Sequence, residues 1–226
     1  MKEIRDEAVL HRFLDSTGFE NYFSFPVKNL TQLYRASRGE MIFHEGAMAD
    51  KLLYLASGRA RLSESLPNGK SILLDFPQPT YFFGEMELLD VRGETLEIQA
   101  LETCWLLALP FDACREKLLN DVKFLRFLCS YLGNKDGQRE RTIVQSHGYP
   151  LANRLAAFIL TASSGGQYRE RNVDAAEYLG TSYRHLQQTL SNFVRTGLLK
   201  KQGRSYILSD TAALQQLADE MIWGRK

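Results

Sequence analysis

The period of the apolar residues changes near Pro110, and this change restricts the chain to a small set of architectures. Before Pro110, short apolar runs are separated by glycines at intervals of roughly one strand plus one turn. After it, residues 111–146 contain no proline and are rich in helix formers. A segment with strand periodicity followed by one with helical periodicity predicts an α+β chain of more than one part.

The first part, residues 1–110, is predicted to be an N-terminal helix followed by a sensor-like β jelly-roll. The Asn-Gly pair at 68–69 suits a tight hairpin turn. In the stretch RARLSESL, alternation predicts that Ala60 and Leu62 face a core while Arg59, Arg61 and Ser63 face water. Many short strands with regular turns are typical of a β-sandwich or jelly-roll barrel.

Residues 111–146 are predicted to form one long dimerisation helix. Apolar residues recur there in alternating steps of four and three, which is the spacing of a seam between two packed helices. The stripe consists of Leu118, Val122, Leu125, Cys129, Leu132 and, after a polar interval, Ile143. A helix buried within one chain would show the same stripe. We favour a seam between two copies of the chain, because the stripe is long and little else in the sequence is available to cover the more polar second half of the helix.

Residues 147–226 carry the most specific pattern, which is a helix, a glycine turn and a second helix. The stretch VDAAEYLG offers small residues for close packing, and Gly180 permits a sharp turn. Thr181 or Ser182 can cap the next helix. This is the helix-turn-helix arrangement, in which the start of the second helix enters the major groove of DNA.

Nine residues of this region are predicted to contact DNA. Arginine and glutamine suit base edges, because each can make paired hydrogen bonds to a base. The segment LLKKQGRSYILSD predicts two short strands around a Gln-Gly turn, a wing whose cations meet phosphates. The predicted contacts are Thr181, Ser182, Tyr183, Arg184, Gln187 and Gln188 in the helix-turn-helix, and Lys200, Lys201 and Arg204 in the wing.

The small net charge of the whole chain hides a local excess of cations. The formal net charge is +1, which alone gives no reason to expect nucleic acid. Between Gln145 and Asp210, however, eight arginines and lysines face four aspartates and glutamates. This excess is the electrostatic pattern of a DNA-binding domain.

Composition argues against several other classes. Hydrophobic residues make up 44% of the chain and charged residues 24%, as in ordinary globular proteins. No apolar run reaches the roughly 18–20 residues of a membrane span, and the N-terminal stretch lacks the apolar centre of a signal peptide. We therefore expect a cytoplasmic protein without membrane contact. Cys104, Cys114 and Cys129 lack CxxC spacing and predict reduced thiols, with their redox activity left open.

Taken in order, these segments resemble the Crp/Fnr family of bacterial transcription regulators over nearly the whole chain, from about Arg38 to Asp210. RGEMIFHEG resembles the glycine-bounded early strands of that family, and FFGEMELL resembles its FxGE-x-x-L-L segment. YPLANRLAAFIL and EYLGTSYRHL are similar to its YeiL-like branch. The resemblance implies a homodimer on a near-palindromic operator, with two recognition helices in successive major grooves. RNA polymerase is then a further candidate partner.

The resemblance also implies an effector pocket at Gly84, Glu85, Glu94 and Thr95. Members that bind cyclic nucleotides carry an arginine followed by serine or threonine at the phosphate, and the corresponding pair here is Glu94 and Thr95. A carboxylate repels the phosphate that the planar arginine cation would bind. Arg92 would supply the cation only under a shifted alignment. Cyclic AMP is therefore not the expected effector, no cofactor is assigned, and the identity of any effector is left open.

Two other functions remain open at this stage. Cupin-like enzymes hold a metal in clustered histidines and carboxylates of a jelly-roll. The four histidines of this chain lie far apart in three segments, so no catalytic residue or metal ligand is assigned. The other alternative is a β-domain interaction module without DNA binding, which a charge reversal at Arg184 would distinguish.

Overall fold

The computed structural model describes residues 1–67, 69, 71–91 and 93–221, and the side chains of residues 138, 139, 141–143 and 145–147 lie outside this description. Asn68 of the predicted hairpin turn, Arg92, and the Ile143 side chain of the predicted seam are therefore outside the described residues. The chain divides into two compact units, residues 1–70 with 74–134 and residues 71–73 with 135–226.

The first unit is built from short antiparallel strands. Its first helix is α1 (Glu7–Thr17), which starts where the Asp6 side chain accepts the Val9 N–H at 3.1 Å. Two 3₁₀ turns follow, Phe19–Tyr22 and Lys28–Leu30. The strands are β1 (Lys2–Ile4), β2 (Gln32–Ala36), β3 (Met41–Phe43), β4 (Lys51–Ser57), β5 (Ala60–Ser65), β6 (Ser71–Asp75), β7 (Tyr81–Phe83), β8 (Glu97–Ala100) and β9 (Cys104–Pro110), and the short helix α2 (Glu85–Leu88) follows β7.

These strands form two sheets. One has the order β1-β2-β9-β4-β7 and the other the order β3-β8-β5-β6. Ala60 and Leu62 are buried as predicted. The prediction for Ser63 is wrong, because this residue is only 1% exposed and its hydroxyl donates to Glu97 Oε1 at 3.0 Å. A hydrogen-bonded serine can occupy an interior strand position that alternation assigns to water.

The prediction of one continuous helix at 111–146 is wrong. The structure has two helices there, α3 (Phe111–Asn120) and α4 (Val122–Gly148), separated by the extended residue Asp121. The Asp121 carboxylate accepts the Lys123 and Phe124 N–H groups at 3.0 and 3.4 Å, and the Ser24 N–H at 2.7 Å. Burial opposes ionisation of Asp121, but these backbone hydrogen bonds outweigh it and lower its pKa. The helical periodicity ran through the break because an aspartate at an N-cap interrupts the backbone without interrupting the apolar stripe.

An aromatic core joins the start of α4 to the strands of the first unit. Phe19, Tyr54, Phe82 and Phe124 are all fully buried. The ring centroids of Tyr54 and Phe82 lie 4.9 Å apart, and those of Phe19 and Tyr54 lie 5.1 Å apart. Large rings bury much apolar area, so this cluster fixes one face of α4 against the β domain.

The second unit contains the predicted helix-turn-helix. Its elements are α5 (Leu151–Ala162), β10 (Gln167–Tyr168), α6 (Asn172–Tyr178), α7 (Tyr183–Arg195), β11 (Leu199–Gln202), β12 (Ser205–Leu208) and α8 (Thr211–Asp219). The three strands form one sheet in the order β10-β12-β11. A β domain, a long helix and a winged helix-turn-helix together confirm the predicted fold class. Within the described part of the chain, none of the helices has the length and apolar character to cross a membrane.

Candidate nucleic-acid interface and effector pocket

Helix α7 is an amphipathic helix with a defined start. Gly180 adopts a left-handed φ of 59°, which allows the chain to turn sharply after α6. The Ser182 hydroxyl then accepts the His185 N–H at 3.2 Å and caps the new helix, as the sequence predicted. Leu186 and Leu190 are fully buried on the inner face. Burial of this face fixes which residues the opposite face presents.

The opposite face of α7 carries the predicted base-contacting residues at its N-terminal end. Tyr183 is 53% exposed, Arg184 and Gln188 are exposed, and Gln187 is half-buried. The Gln187 Nε2 donates to the Tyr183 hydroxyl at 3.1 Å, so these two side chains hold each other one helical turn apart. Ser182 is exposed and Thr181 is half-buried at the same end. The structure therefore brings the six predicted helix-turn-helix contacts together on one short surface.

The wing separates two lysines that the sequence treated as one set. Lys200 pairs with Ile207 and Lys201 pairs with Tyr206 in the β11–β12 ladder. Because neighbouring strand residues point to opposite faces of a sheet, Lys201 shares a face with the buried Tyr206 side chain and Lys200 has the other. Arg204 is exposed beside Gly203, which makes the turn with a φ of 59°. Lys200 and Lys201 therefore point to opposite faces of the wing, and Arg204 lies in the turn that joins its two strands.

Sequence reasoning missed a polar ladder on the Lys200 face of the wing. The Gln167 amide donates to Gln202 Oε1 at 3.0 Å and to Ser205 Oγ at 3.2 Å. Its own Oε1 accepts Arg169 Nε at 2.7 Å and also accepts Arg169 Nη2. The exposed Arg169 guanidinium is thereby held beside the wing. A two-residue strand such as β10 is too short to leave a periodic signal in the sequence.

One of the basic residues counted in the local excess of charge, Arg154, serves the fold, and a second, Arg171, lies near a buried carboxylate. The Arg154 guanidinium donates to the carbonyl oxygens of Tyr149 and Leu179, and burial lowers its pKa. Arg171 Nε lies 3.8 Å from a carboxylate oxygen of the buried Asp174. The Arg171 side chain is nevertheless 76% exposed, so only Arg154 is removed from the exposed excess of cations.

The four predicted pocket residues lie on two segments of the β domain. Gly84 ends β7 with a φ of 84°, and a Cβ added there would stand 2.6 Å from the Lys51 carbonyl oxygen. A side chain is excluded at that distance. Glu85, the first residue of α2, is only 4% exposed. The glycine therefore allows the chain to pass close to β4 and carry a buried carboxylate.

Glu94 and Thr95 differ sharply in their surroundings. Thr95 is 3% exposed, and its hydroxyl donates to the His44 carbonyl oxygen at 2.6 Å, with the Ala47 carbonyl oxygen 3.2 Å away. Its backbone N–H donates to Ala47 O at 2.9 Å, and its carbonyl accepts the Gly46 N–H at 3.0 Å. The Thr95 hydroxyl proton is thus committed to the fold. Glu94 is exposed, and its Oε2 lies 3.6 Å from the point where a Cβ added to Gly46 would stand.

The hydroxyl of Tyr131 on α4 is hydrogen-bonded to strand β7, which directly precedes Gly84 and Glu85 of the predicted pocket. Strand β7 lies at the edge of its sheet. The Phe82 N–H donates to the Tyr131 hydroxyl at 2.9 Å, and that hydroxyl donates to the Phe82 carbonyl at 3.4 Å. Burial is the main cause that raises the pKa of Tyr131, and the Glu85 carboxylate is the next. Glu85, the edge strand and α4 therefore form one connected group.

The cysteines divide into two buried thiols and one exposed thiol. Burial, with a smaller effect of the Glu102 carboxylate, raises the pKa of Cys104 to about 11. Burial also raises the pKa of Cys114. The thiolate is the reactive form, so at neutral pH these two residues behave as small core residues. Among the described residues, no group of three or more histidine, cysteine, aspartate or glutamate side chains is arranged to hold a metal ion.

Two family models match separate parts of the chain. Residues 34–121 match the cyclic nucleotide-binding domain, and residues 153–217 match the Crp-like helix-turn-helix domain. The first match runs from within β2 to the end of α3, and the second runs from α5 into α8.

Relatives and solved structures agree with both matches. The chain is 42% identical to the regulatory protein YeiL of Escherichia coli O157:H7 over 208 residues, covering 92% of this chain and 95% of that protein. It is 22% identical to a CRP-like cAMP-activated global transcriptional regulator of Mycobacterium tuberculosis, over 80% of this chain and 85% of that protein. A CRP/FNR-family regulator of Thermus thermophilus matches with a TM-score of 0.67 at 21% identity, covering 83% of this chain and 98% of that structure. At 21% sequence identity, this structural match is evidence for the fold alone.

Proposed function

Because the chain belongs to the Crp/Fnr family of DNA-binding transcription regulators, we propose that it acts as a homodimer on a near-palindromic operator, without control by cyclic AMP. Members of this family are transcription regulators and not enzymes, so the cupin-like alternative has no support. The cytoplasm is the expected location, since the operator lies there. RNA polymerase belongs to the proposal as a candidate partner.

The observation that carries the proposal is the pairing of buried and exposed residues along α7. Its inner face is fixed in the core by Leu186 and Leu190, and its outer face presents Tyr183, Arg184 and Gln188. Arginine and glutamine read base edges in the major groove through paired hydrogen bonds. The exposed cations of the wing then supply phosphate contacts, which hold the helix in register without reading sequence.

The homodimer is supported by the three faces of α4. With about 3.6 residues per turn, Phe124, Leu128 and Tyr131 form a face that packs into the aromatic core. A second face carries Val122, which is 61% exposed, Leu125, which is half-buried, and Cys129, which is exposed. The third face is polar. Two residues of the predicted seam, Leu118 and Leu132, instead belong to the core of their own unit. The remaining exposed part of the stripe, Val122, Leu125 and Cys129, is what favours a symmetric partner helix.

Control by a signal other than cyclic AMP is supported by the two pocket segments. A cyclic nucleotide needs a cation for its phosphodiester, and the predicted position carries the exposed carboxylate of Glu94. Thr95 has its hydroxyl proton committed to His44 O. A signal at Gly84 or Glu85 would reach α4 through the bond between Tyr131 and Phe82, and it could act only by favouring one arrangement of the helix over another.

We expect cyclic AMP to leave the melting temperature of the chain unchanged. A ligand that binds only the folded chain, at about 100 times its dissociation constant, stabilises it by about 2.7 kcal/mol, which is several degrees. Thermal unfolding with increasing cyclic AMP measures this directly, with linear 5′-AMP as the control for non-specific binding. Stabilisation by cyclic AMP that 5′-AMP does not reproduce would contradict this part of the proposal.

The operator is tested by selecting duplexes from a pool with a random central segment. Because a dimer places two recognition helices one turn of DNA apart, the enriched duplexes should contain two inverted half-sites with centres about 10 base pairs apart. Enrichment of a single half-site would contradict the symmetric dimer. Failure to enrich any duplex would contradict sequence-specific binding itself.

A further inference from the structure

One side chain, Arg154, joins the linker that follows α4 to the turn of the helix-turn-helix. Arg154 is the fourth residue of α5. Its Nε donates to the Tyr149 carbonyl oxygen at 3.2 Å, and its Nη1 donates to the Leu179 carbonyl oxygen. Tyr149 directly follows the last residue of α4, and Leu179 ends α6 immediately before Gly180. A single guanidinium therefore bonds the segment that leaves α4 to the turn that leads into α7.

The two carbonyl groups are suited to hold this cation. Both stand at the C-terminal end of a helix, where carbonyl groups lack partners within the helix and carry the negative end of its dipole. A guanidinium has five N–H donors in a fixed planar geometry, so it can bond acceptors on two segments at once. Across the described part of the chain, no carboxylate is hydrogen-bonded to Arg154, so the backbone dipoles hold its half-buried charge.

We propose that Arg154 is a positioning residue, which fixes the direction of α7 relative to the end of α4 and thereby the distance between the two recognition helices of a dimer. This inference rests on the proposed homodimer and its operator. Residues 135–148 of α4 belong to the same compact unit as α5, α6 and α7, so both hydrogen bonds act within one unit. Without the guanidinium, the linker and the turn lose the side chain that joins them.

The neighbouring residue Asn153 stabilises the same helix from a different side. Asn153 is 5% exposed, and its Nδ2 donates to the Leu217 carbonyl oxygen at 2.9 Å and to Glu220 Oε2 at 2.6 Å. These bonds hold α5 to α8 and involve neither the linker nor the turn. Asn153→Ala therefore removes two side-chain hydrogen bonds from the same unit without changing the contact that Arg154 makes. This makes it the matched control.

The spacing of the two half-sites is a sensitive measure of the direction of α7. One added base pair moves a half-site by about 3.4 Å and rotates it by about a tenth of a turn. A dimer with rigidly placed recognition helices then loses its second half-site, because linked contacts add affinity only when the geometry allows both. A dimer with loosely placed helices should tolerate the change.

The test titrates the selected operator, the same operator with one base pair inserted or deleted between the half-sites, and a duplex with a single half-site. The wild type and Asn153→Ala should each bind the altered spacings about 100-fold more weakly than the original spacing. Arg154→Gln should reduce this ratio to about tenfold or less, by weakening binding to the original operator, while its affinity for the single half-site stays unchanged. Arg154→Lys should fall between them, because lysine keeps the charge but presents its donors from one atom on a flexible stem.

Thermal unfolding of each chain sets a temperature at which all four are folded, and Arg154→Lys decides the test if Arg154→Gln does not fold. An arginine variant that keeps the wild-type spacing ratio would overturn the inference. Equal loss of the ratio in Asn153→Ala, or loss of single half-site binding in the arginine variants, would assign Arg154 a general role in stability and overturn it as well. A wild-type chain that binds all spacings equally, or no duplex, would instead contradict the proposed dimer on its operator, so the two failures are distinguishable.

Discussion

Arg184→Glu should reduce operator binding by about 100-fold or more while the chain remains folded. A good arginine contact to a base is worth about 1–3 kcal/mol, and a symmetric dimer loses it twice. The substituted carboxylate also repels the phosphates near the groove. At about 1.4 kcal/mol for each tenfold change, the loss of contacts alone reaches about 30-fold to more than 10,000-fold. The measurement is a titration of the labelled operator duplex, followed by anisotropy.

Arg195→Glu is the matched control for this prediction. Arg195 is exposed in the last turn of the same helix, so the substitution changes the net charge equally while lying away from the base-contacting end. It should weaken binding only slightly, through the general attraction between cations and DNA. If Arg195→Glu and Arg184→Glu weakened binding equally, α7 would be acting through total charge and not through base contacts. If neither affected binding, the operator would be bound by another surface than α7. If the wild-type chain bound no duplex, the interaction-module alternative would regain support.

The sequence predicted the architecture because each part of the chain has its own apolar period. The apolar strand positions Ala60 and Leu62 and the glycine turn at Gly180 are local signals, and these appear in the structure at the predicted places. Alternation failed at Ser63, and the seam between two copies stays a prediction. The break at Asp121 escaped this reasoning, since its cause lies partly in Ser24, which is distant in sequence but donates its N–H to the Asp121 carboxylate. Hydrogen bonds between distant residues leave no periodic signal.

The sequence predicted which residue types lie in the candidate site, but not the directions in which their side chains point. The pattern identified Lys200 and Lys201 as wing cations, but only the pairing with Ile207 and Tyr206 shows that they point to opposite faces. In the same way, the resemblance predicted Thr95 as a pocket residue, which stays a prediction. The hydrogen bond that commits its hydroxyl proton to His44 O depends on a loop that closes across the fold.

Leu125→Glu should convert the proposed dimer into a monomer and weaken operator binding by about 100-fold or more. In a symmetric seam the residue meets its own copy or a near neighbour. The substitution therefore places two carboxylates where two leucines would each contribute about 1.5–3 kcal/mol of burial. Separate monomers lose the gain of about 10²–10⁴ in affinity that comes from linking two half-site contacts. Sedimentation velocity measures the first effect, and titration of the operator duplex measures the second.

Ser130→Glu separates loss of the seam from a general effect of a new charge on α4. Ser130 is exposed on the polar face, about a third of a turn from the stripe, and its hydroxyl donates to the Arg126 carbonyl oxygen at 3.2 Å. This variant should remain a dimer with wild-type affinity for the operator. Leu125 lies partly exposed and outside the aromatic core of its own unit, so its replacement should also leave the monomer folded. A Leu125→Glu chain that stayed dimeric would show that α4 is not the seam. Dissociation of both variants would show that the dimer depends on the stability of α4 as a whole and not on the stripe.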